Sequence, residues 1–491
     1  MAWAFYVEHY TNTTQACRDN KYTWRHANGS IFIGTGEDAG NDAEPLGIFY
    51  PRGATLGGST QVNGMCFTLP PDSQWDELAT LTGDSSWNST RHGFDGYIHP
   101  GLRDVLGSVY EALGQSKPNS TADLINRVGR DMNRLDPTRY DHSDLYTMVI
   151  DQNADHVRTG ARDYIIDTLQ ATYANGSRRY PGLTISTQSF ATKVLFANKT
   201  TGPARPRATG VEYILKLSGI GPREELEQHN IPVVVDLPAV GQNLQDTYEG
   251  GITVEAAQDF TTLFTNCTFG NPGDPCLAEF QLNHTGPYTI GSAWAALLFR
   301  SSVATTPDTD IYAYGASASI FSGFYEGYAE AQAPPSTFWW SLVKMRPQGR
   351  GSVTLRSADP FDTPVINFDY FANEGGVHDL QALTDAVEFL LPAMNNTAGG
   401  YAPFTIIAPE PSVSIEQGIK DFAFGHHCTG TCAMGPANSS SSCVDSQLRV
   451  LGVDGLRVVD ASVFQEAMGA FPVLPTFMLS QKAAGVILGD L

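Results

Sequence analysis

The last stretch of the chain, residues 424–491, constrains the fold most. It reads FGHHCTGTCAMGP, then a Ser-rich loop, then LGVDGLRVVDASVF, then GAFPVLPTFMLSQKAAGVIL. The Asp454-Gly455 turn feeds a short apolar strand predicted over Leu456–Val459, with Asp460 at its carboxyl end. In open α/β sheets ligands sit at the carboxyl ends of strands, so Asp460-Ala461-Ser462 raises a ligand site. Asp460 also suits the cap of a following element. A helix is predicted to close the chain after Pro475. Ahead of these, His426 and His427 stand in a Gly/Thr/Cys loop, where an imidazole can do acid–base work near neutral pH.

The 491 residues suffice for two or three domains or one large two-part enzyme. No apolar run approaches a membrane span, so no membrane partner is expected. The net charge of −22 repels phosphate backbones, which argues against nucleic acid. Seven cysteines leave at least one thiol unpaired, and a disulfide could staple the Gly/Pro loop between Cys267 and Cys276. Cys428 and Cys432 lack a second metal-type pair, so no metal site is expected there. Ten N-x-S/T sequons, from Asn12 to Asn438, suggest passage through the secretory pathway. Met1–Tyr10 has neither the basic start nor the apolar core of a signal peptide, so the chain is either not secreted or lacks its true beginning.

Two further stretches carry chemistry. Phe49–Pro70 reads FYPRGATLGGSTQVNGMCFTLP, and its glycines allow backbone to approach a flat or charged ligand. Leu183–Phe196 and Arg207–Tyr213 are β-rich, and LSGIGP follows at 217–222. Asp72–Trp87 reads as a helix with Trp75, Leu78 and Leu81 on one side. Thr159–Leu169 opens another helix. Asp379–Met394 carries a core stripe of Leu380, Leu383, Val387, Leu390 and Leu391.

His427-Cys428-Thr429-Gly430-Thr431-Cys432-Ala433-Met434-Gly435, followed by Gly455 to Ser462, resembles the C-terminal block of the glucose–methanol–choline (GMC) oxidoreductases. PRGATLGGS…NGM resembles the flavin-side motif of the same family. The resemblance implies an α/β fold of mixed α+β character: a discontinuous FAD-binding-type domain from 1–75, 181–250 and 421–491, and an antiparallel-sheet substrate domain from 76–180 and 251–420. It implies FAD as cofactor, lined by Gly57, Gly58, Ser59, Asn63, Gly64, Ala191, Asp460, Ala461, Pro472 and Val473. His427 would be the base that takes the proton of an alcohol. His426, on the opposite face of an extended segment, would be secondary. The family's second His or Asn falls on Phe471, which can shape a pocket or stack on a flat substrate but cannot move a proton.

The resemblance departs at three points. No glycine turn of the dinucleotide-binding kind is found near the start: Gly34–Ala39 carries two carboxylates and no apolar helix follows it. Trp87 leads almost directly to His92-Gly93, and Tyr213-Ile214-Leu215 runs straight into the LSGIGP turn. These shortenings lead to three readings. The first is a secreted, fungal-type FAD-dependent oxidoreductase of secondary metabolism, acting on a small alcohol of polyketide type. The second is a non-redox cyclase or dehydratase on the same fold. The third is a non-enzymatic remnant or a chain lacking segments. They also lead to the expectation that FAD binds weakly or not at all.

Overall fold

The structure is a computed structural model that describes residues 2–66, 68–87, 103–128, 133, 139–146, 157–186, 194–196, 205, 208–211, 215–260, 266–268, 271–289, 295–317, 323–328, 334–397 and 399–489. Its centre is a six-stranded antiparallel sheet. The strand order is Thr405–Ala408, Glu249–Glu255, Thr337–Lys344, Ile311–Ser317, Ala295–Phe299 and Asp144–Tyr146. Thr337–Lys344 (TFWWSLVK) is rich in aromatic and β-branched residues and is buried at every position. A strand alternates its side chains between two faces. Phe338, Trp340 and Leu342 therefore join one apolar cluster, while Trp339 and Val343 join another on the opposite face.

The first face is covered by the helix Glu374–Asn395. Its buried stripe of Leu380, Leu383, Val387 and Leu390 is the one expected from sequence, and Leu391 packs half-buried at the edge. Asn373 caps this helix, its Oδ1 accepting from the Gly376 N–H at 2.9 Å. The second face gathers Tyr312, Tyr314, Trp339, Ala296 and Leu298, and the loop before the closing helix packs Ala470 and Phe471 onto it. On the strand Glu249–Glu255, Ile252 and Val254 belong to the first face, so Glu249 points to the second.

The N-terminal part is a four-stranded antiparallel sheet ordered Ala2–Val7, Ala43–Gly53, Tyr22–His26, Ile31–Ile33. It runs directly into the glycine-rich segment, where Gly58–Gln61 forms a 3₁₀ turn. A third cluster holds the C-terminal stretch together: Cys432, Met434, Val444, Leu448, Val450 and Leu479 pack with Ile220, Leu237, Trp75 and Leu78. The mixed helix-and-sheet class expected from sequence is present.

Several elements differ from expectation. Leu456–Val459 is not a ladder strand: its hydrogen bonds are Val450 N–H to Leu456 O and Val458 N–H to Leu448 O, with a lone bridge at Arg457. A four-residue apolar run is equally at home as buried irregular chain. Asp460 therefore stands at no sheet edge. Leu81 is exposed, because the helix Asp72–Thr82 buries Trp75, Leu78 and Ala79 instead. The closing helix begins earlier than expected and runs Val473–Gly489, with Pro475 in its first turn. The Cys267–Cys276 disulfide is formed, and Cys432 pairs with Cys443, a bond not anticipated.

Candidate active site

Two chain segments meet edge to edge to build the site. The backbone of Glu249 and Phe424 exchanges two hydrogen bonds, N–H to O at 2.7 and 3.1 Å, and Gln245 does the same with Thr429 at 3.0 and 2.9 Å. The loop between Phe424 and Thr429 is thereby held against the start of the strand Glu249–Glu255. Asp246 fixes its middle. One carboxylate oxygen of Asp246 accepts the His427 backbone N–H at 2.7 Å, and the other accepts the Tyr50 and Tyr370 hydroxyls at 2.9 and 3.1 Å. Burial pushes the Asp246 carboxyl up, and the His427 N–H bond works against that.

The His427 ring is buried, 8% exposed. Its Nδ1 lies 2.7 Å from Thr247 Oγ1, and that hydroxyl donates its one proton to the Ala470 carbonyl at 3.0 Å. A carbonyl only accepts, so Thr247 must accept from Nδ1–H. His427 is thus held as the Nδ1–H tautomer, with the Nε2 lone pair free. Burial drives its pKa down to about 3, helped by the Arg52 charge and opposed by hydrogen bonding to the Thr247 backbone. The ring is a neutral base throughout the physiological range.

The surroundings are aromatic on one side and acidic on another. Phe471 stands edge-on to His427 at 5.4 Å and edge-on to Tyr312 at 5.2 Å. His426 does not point to the opposite face as expected, because Phe424–Thr429 is not regular strand there. Its ring lies 3.9 Å from that of His427, and its Nε2 lies 3.7 Å from Glu249 Oε1. Phe324 packs edge-on against it at 4.9 Å. Glu249 is fully buried. Its Oε2 accepts from the Tyr314 hydroxyl at 2.8 Å and from Ser341, while Oε1 has no hydrogen-bond partner. Burial raises its carboxyl to about 7, against the pull of Ser341 and Tyr314. Glu249, Thr247, Asp246, Tyr314 and Ser341 were all missed in the sequence. Their roles depend on strand neighbours far away in the chain.

The glycine-rich segment follows Arg52, whose guanidinium donates to Cys428 Sγ, next in sequence to His427, at 3.2 Å. Gly57 (φ +90°) backs onto the start of the helix Ala161–Gln170, where a Cβ would stand 2.8 Å from Arg162 N. Gly58 (φ +61°) faces open space, leaving room for a ligand against bare backbone. Ser59 Oγ accepts from the Gly53 N–H at 3.2 Å. Arg158 clamps the segment through Asn63 Oδ1, the Asn63 carbonyl and the Thr60 carbonyl. Just after Gly64, Cys66 packs on the aromatic cluster that contains Phe471. Pro472 and Val473 are half-buried at the N-terminal turn of the closing helix, where backbone N–H groups lack helical partners.

Asp460 is exposed, and its Oδ1 caps the turn Ala461–Val463 through the Ser462 N–H at 2.8 Å. The Ala461 and Ser462 carbonyls accept from Gly430 and Cys432, tying this turn to the histidine loop at 3.3 and 2.8 Å. Ala191 lies outside the described residues. The open approach at Gly58 and the nearby helix start suit a flat, hydrogen-bonding ring such as a flavin. The adenine-nucleotide half of FAD finds no glycine turn between a parallel strand and a helix near the N-terminal sheet, where Ala2–Val7 is paired antiparallel among the described residues.

Residues 347–480 match the family model described as GMC oxidoreductase. An oxygen-dependent choline dehydrogenase of Brucella melitensis is 28% identical over 482 residues, covering 90% of this chain and 82% of that protein. Dehydrogenase eriK of Hericium erinaceus is 27% identical over 525 residues, with the same two coverages of 90% and 82%. Among solved structures, formate oxidase of Aspergillus oryzae superposes with a TM-score of 0.70 at 18% identity, over 96% of this chain and 88% of that one. A fungal aryl-alcohol oxidase gives 0.64 at 18% identity, over 100% and 90%. These structural likenesses concern the fold.

Proposed function

This chain belongs to the GMC oxidoreductase family, and on that premise we propose that it oxidises the CH–OH group of a small alcohol, with His427 as the base. The observation that carries the proposal is the locked tautomer of His427, which leaves Nε2 unprotonated beside an aromatic-walled site. FAD, the cofactor implied by the family, supplies a hydride acceptor when bound. Gly57–Gly64, Pro472 and Val473 would hold its ring.

His427 Nε2 takes the hydroxyl proton, the C–H bond gives up its hydrogen with both electrons, and a C=O bond forms. Thr247 keeps the ring oriented during this transfer, and Asp246 keeps the loop in place. Phe471, Tyr312, Tyr314 and Trp339 pack into a buried aromatic cluster beside His427 and keep water from that side of the ring. That lining supports a flat or aromatic alcohol, the polyketide type expected from sequence. The choline acted on by the bacterial relative is a small alcohol of a different kind.

The test is a purification with FAD present, followed by anaerobic addition of aromatic and aliphatic alcohols. A bound flavin band that bleaches as aldehyde or ketone appears supports the reading. Protein that takes up no flavin and oxidises no alcohol contradicts it. A second reading is favoured by Phe471, which removes a proton-handling group. In that reading the same histidine catalyses a non-redox cyclisation or dehydration, and product would form anaerobically with no bleaching.

A further inference from the structure

Glu249, His426 and His427 form a close cluster of possible metal donors. One carboxylate oxygen and one nitrogen from each ring lie within 4.8 Å of one another. Two of the three donors, Glu249 and His427, are held ready to give a lone pair. The Glu249 carboxylate is anchored through Oε2 by Tyr314 and Ser341, and its Oε1 is fully buried without a hydrogen-bond partner. The Thr247 hydroxyl holds His427 with Nε2 unprotonated. His426 turns Nε2 toward the same Glu249 oxygen, at 3.7 Å. The three side chains thus bring their donor atoms together, and no donor among the described residues satisfies Glu249 Oε1.

We propose that Glu249, His426 and His427 form a binding site for a divalent cation of the Zn²⁺ class. Two imidazoles and one carboxylate are a donor set that zinc takes with a fourth position left to an exchangeable oxygen ligand. Magnesium and calcium prefer oxygen-rich shells and fit this set poorly. The outer partners are also in place: Tyr314 and Ser341 orient the carboxylate, and Thr247 orients one imidazole. The other such grouping among the described residues, Cys267, Asp274 and Cys276, is closed by a disulfide between its two cysteines. The cation would take the same Nε2 lone pair that alcohol oxidation uses, so metal and substrate proton exclude each other. Cation binding itself does not rest on the oxidoreductase reading.

The experiment uses the full chain, stripped with chelator and titrated with Co²⁺ as a coloured stand-in for Zn²⁺. Wild type is expected to develop visible tetrahedral or five-coordinate bands that saturate at one ion per chain and are displaced by Zn²⁺. Glu249→Gln and His426→Ala should each weaken binding by about 10-fold or more. Should either variant misfold by circular dichroism, Tyr314→Phe keeps all three ligands and should weaken binding by about 10-fold through the lost anchor. No bands in wild type, or bands unchanged in all three variants, would overturn the proposal. None of these readings depends on turnover, so they stand apart from the fate of the proposed oxidation.

Discussion

At the scale of single residues, the account turns on how one hydroxyl fixes one imidazole. Thr247 can donate only once, and the Ala470 carbonyl takes that proton. Thr247→Val removes the acceptor for Nδ1–H and frees the ring to turn or change tautomer. The expected result is a kcat lower by roughly tenfold, the effect of losing about 1.4 kcal/mol of orientation, with the fold unchanged by circular dichroism. The depressed pKa of His427 sets a pH profile. A free imidazole stops acting as a base as pH falls through 6.5, whereas this ring, held near about 3, does not. In Glu249→Gln, which removes the nearby carboxyl raised to about 7, kcat/KM is therefore expected to stay flat as pH falls through 6.5, and a fall centred there would contradict the buried neutral base. The histidines and the glycine run were legible in the sequence because their residue types are rare in such strings. Glu249 was not. In EGGITVE it reads as an ordinary strand end, and only the register with Val343 and the packing of Tyr314 and Ser341 show it to be buried.

At the scale of elements, the site depends on pairs that hold segments together. Lys21 and Asp19 form a 2.7 Å ion pair, each about 1% exposed, under the N-terminal sheet. Burial alone would raise the Asp19 carboxyl, but Lys21 and His9 lower it overall. Its stability contribution is therefore present above the ordinary carboxylate value of 3.8 and is lost as pH falls below it. Lys21→Met leaves a buried carboxylate unpaired and is expected to cost about 3–5 kcal/mol in a urea melt at neutral pH, with Asp19→Asn added to it restoring part of that loss. The Cys432–Cys443 bond closes a separation of 11 residues inside the C-terminal core. Replacing both cysteines by serine is expected to cost about 3 kcal/mol, read as a lower melting midpoint. Helices were legible from periodicity: the stripe on Glu374–Asn395 is nearly the one expected. Leu456–Val459 was misjudged because four apolar residues after a turn carry no signal that separates a strand from buried irregular chain.

At the scale of the whole molecule, the central antiparallel sheet supplies the rigid wall, and the C-terminal stretch folds back to place His427 and Phe471 against it. The mixed class and the family were legible, since one long ordered block carried both. Which faces meet was not, because strand order depends on pairings between segments far apart in the chain. Eight sequon asparagines lie among the described residues, from Asn12 to Asn438, and all eight are exposed. This supports a proposed passage through the secretory pathway. Protein made in a secreting host should lose mass on treatment with an Asn-glycan amidase, and unchanged mass would count against that route. The most direct test of the central claim is the rate of anaerobic flavin reduction by an alcohol in wild type and in His427→Ala, both loaded with FAD. The account predicts that the variant keeps its flavin and is reduced about 10²–10⁴-fold more slowly. Reduction of the variant at the wild-type rate would contradict it.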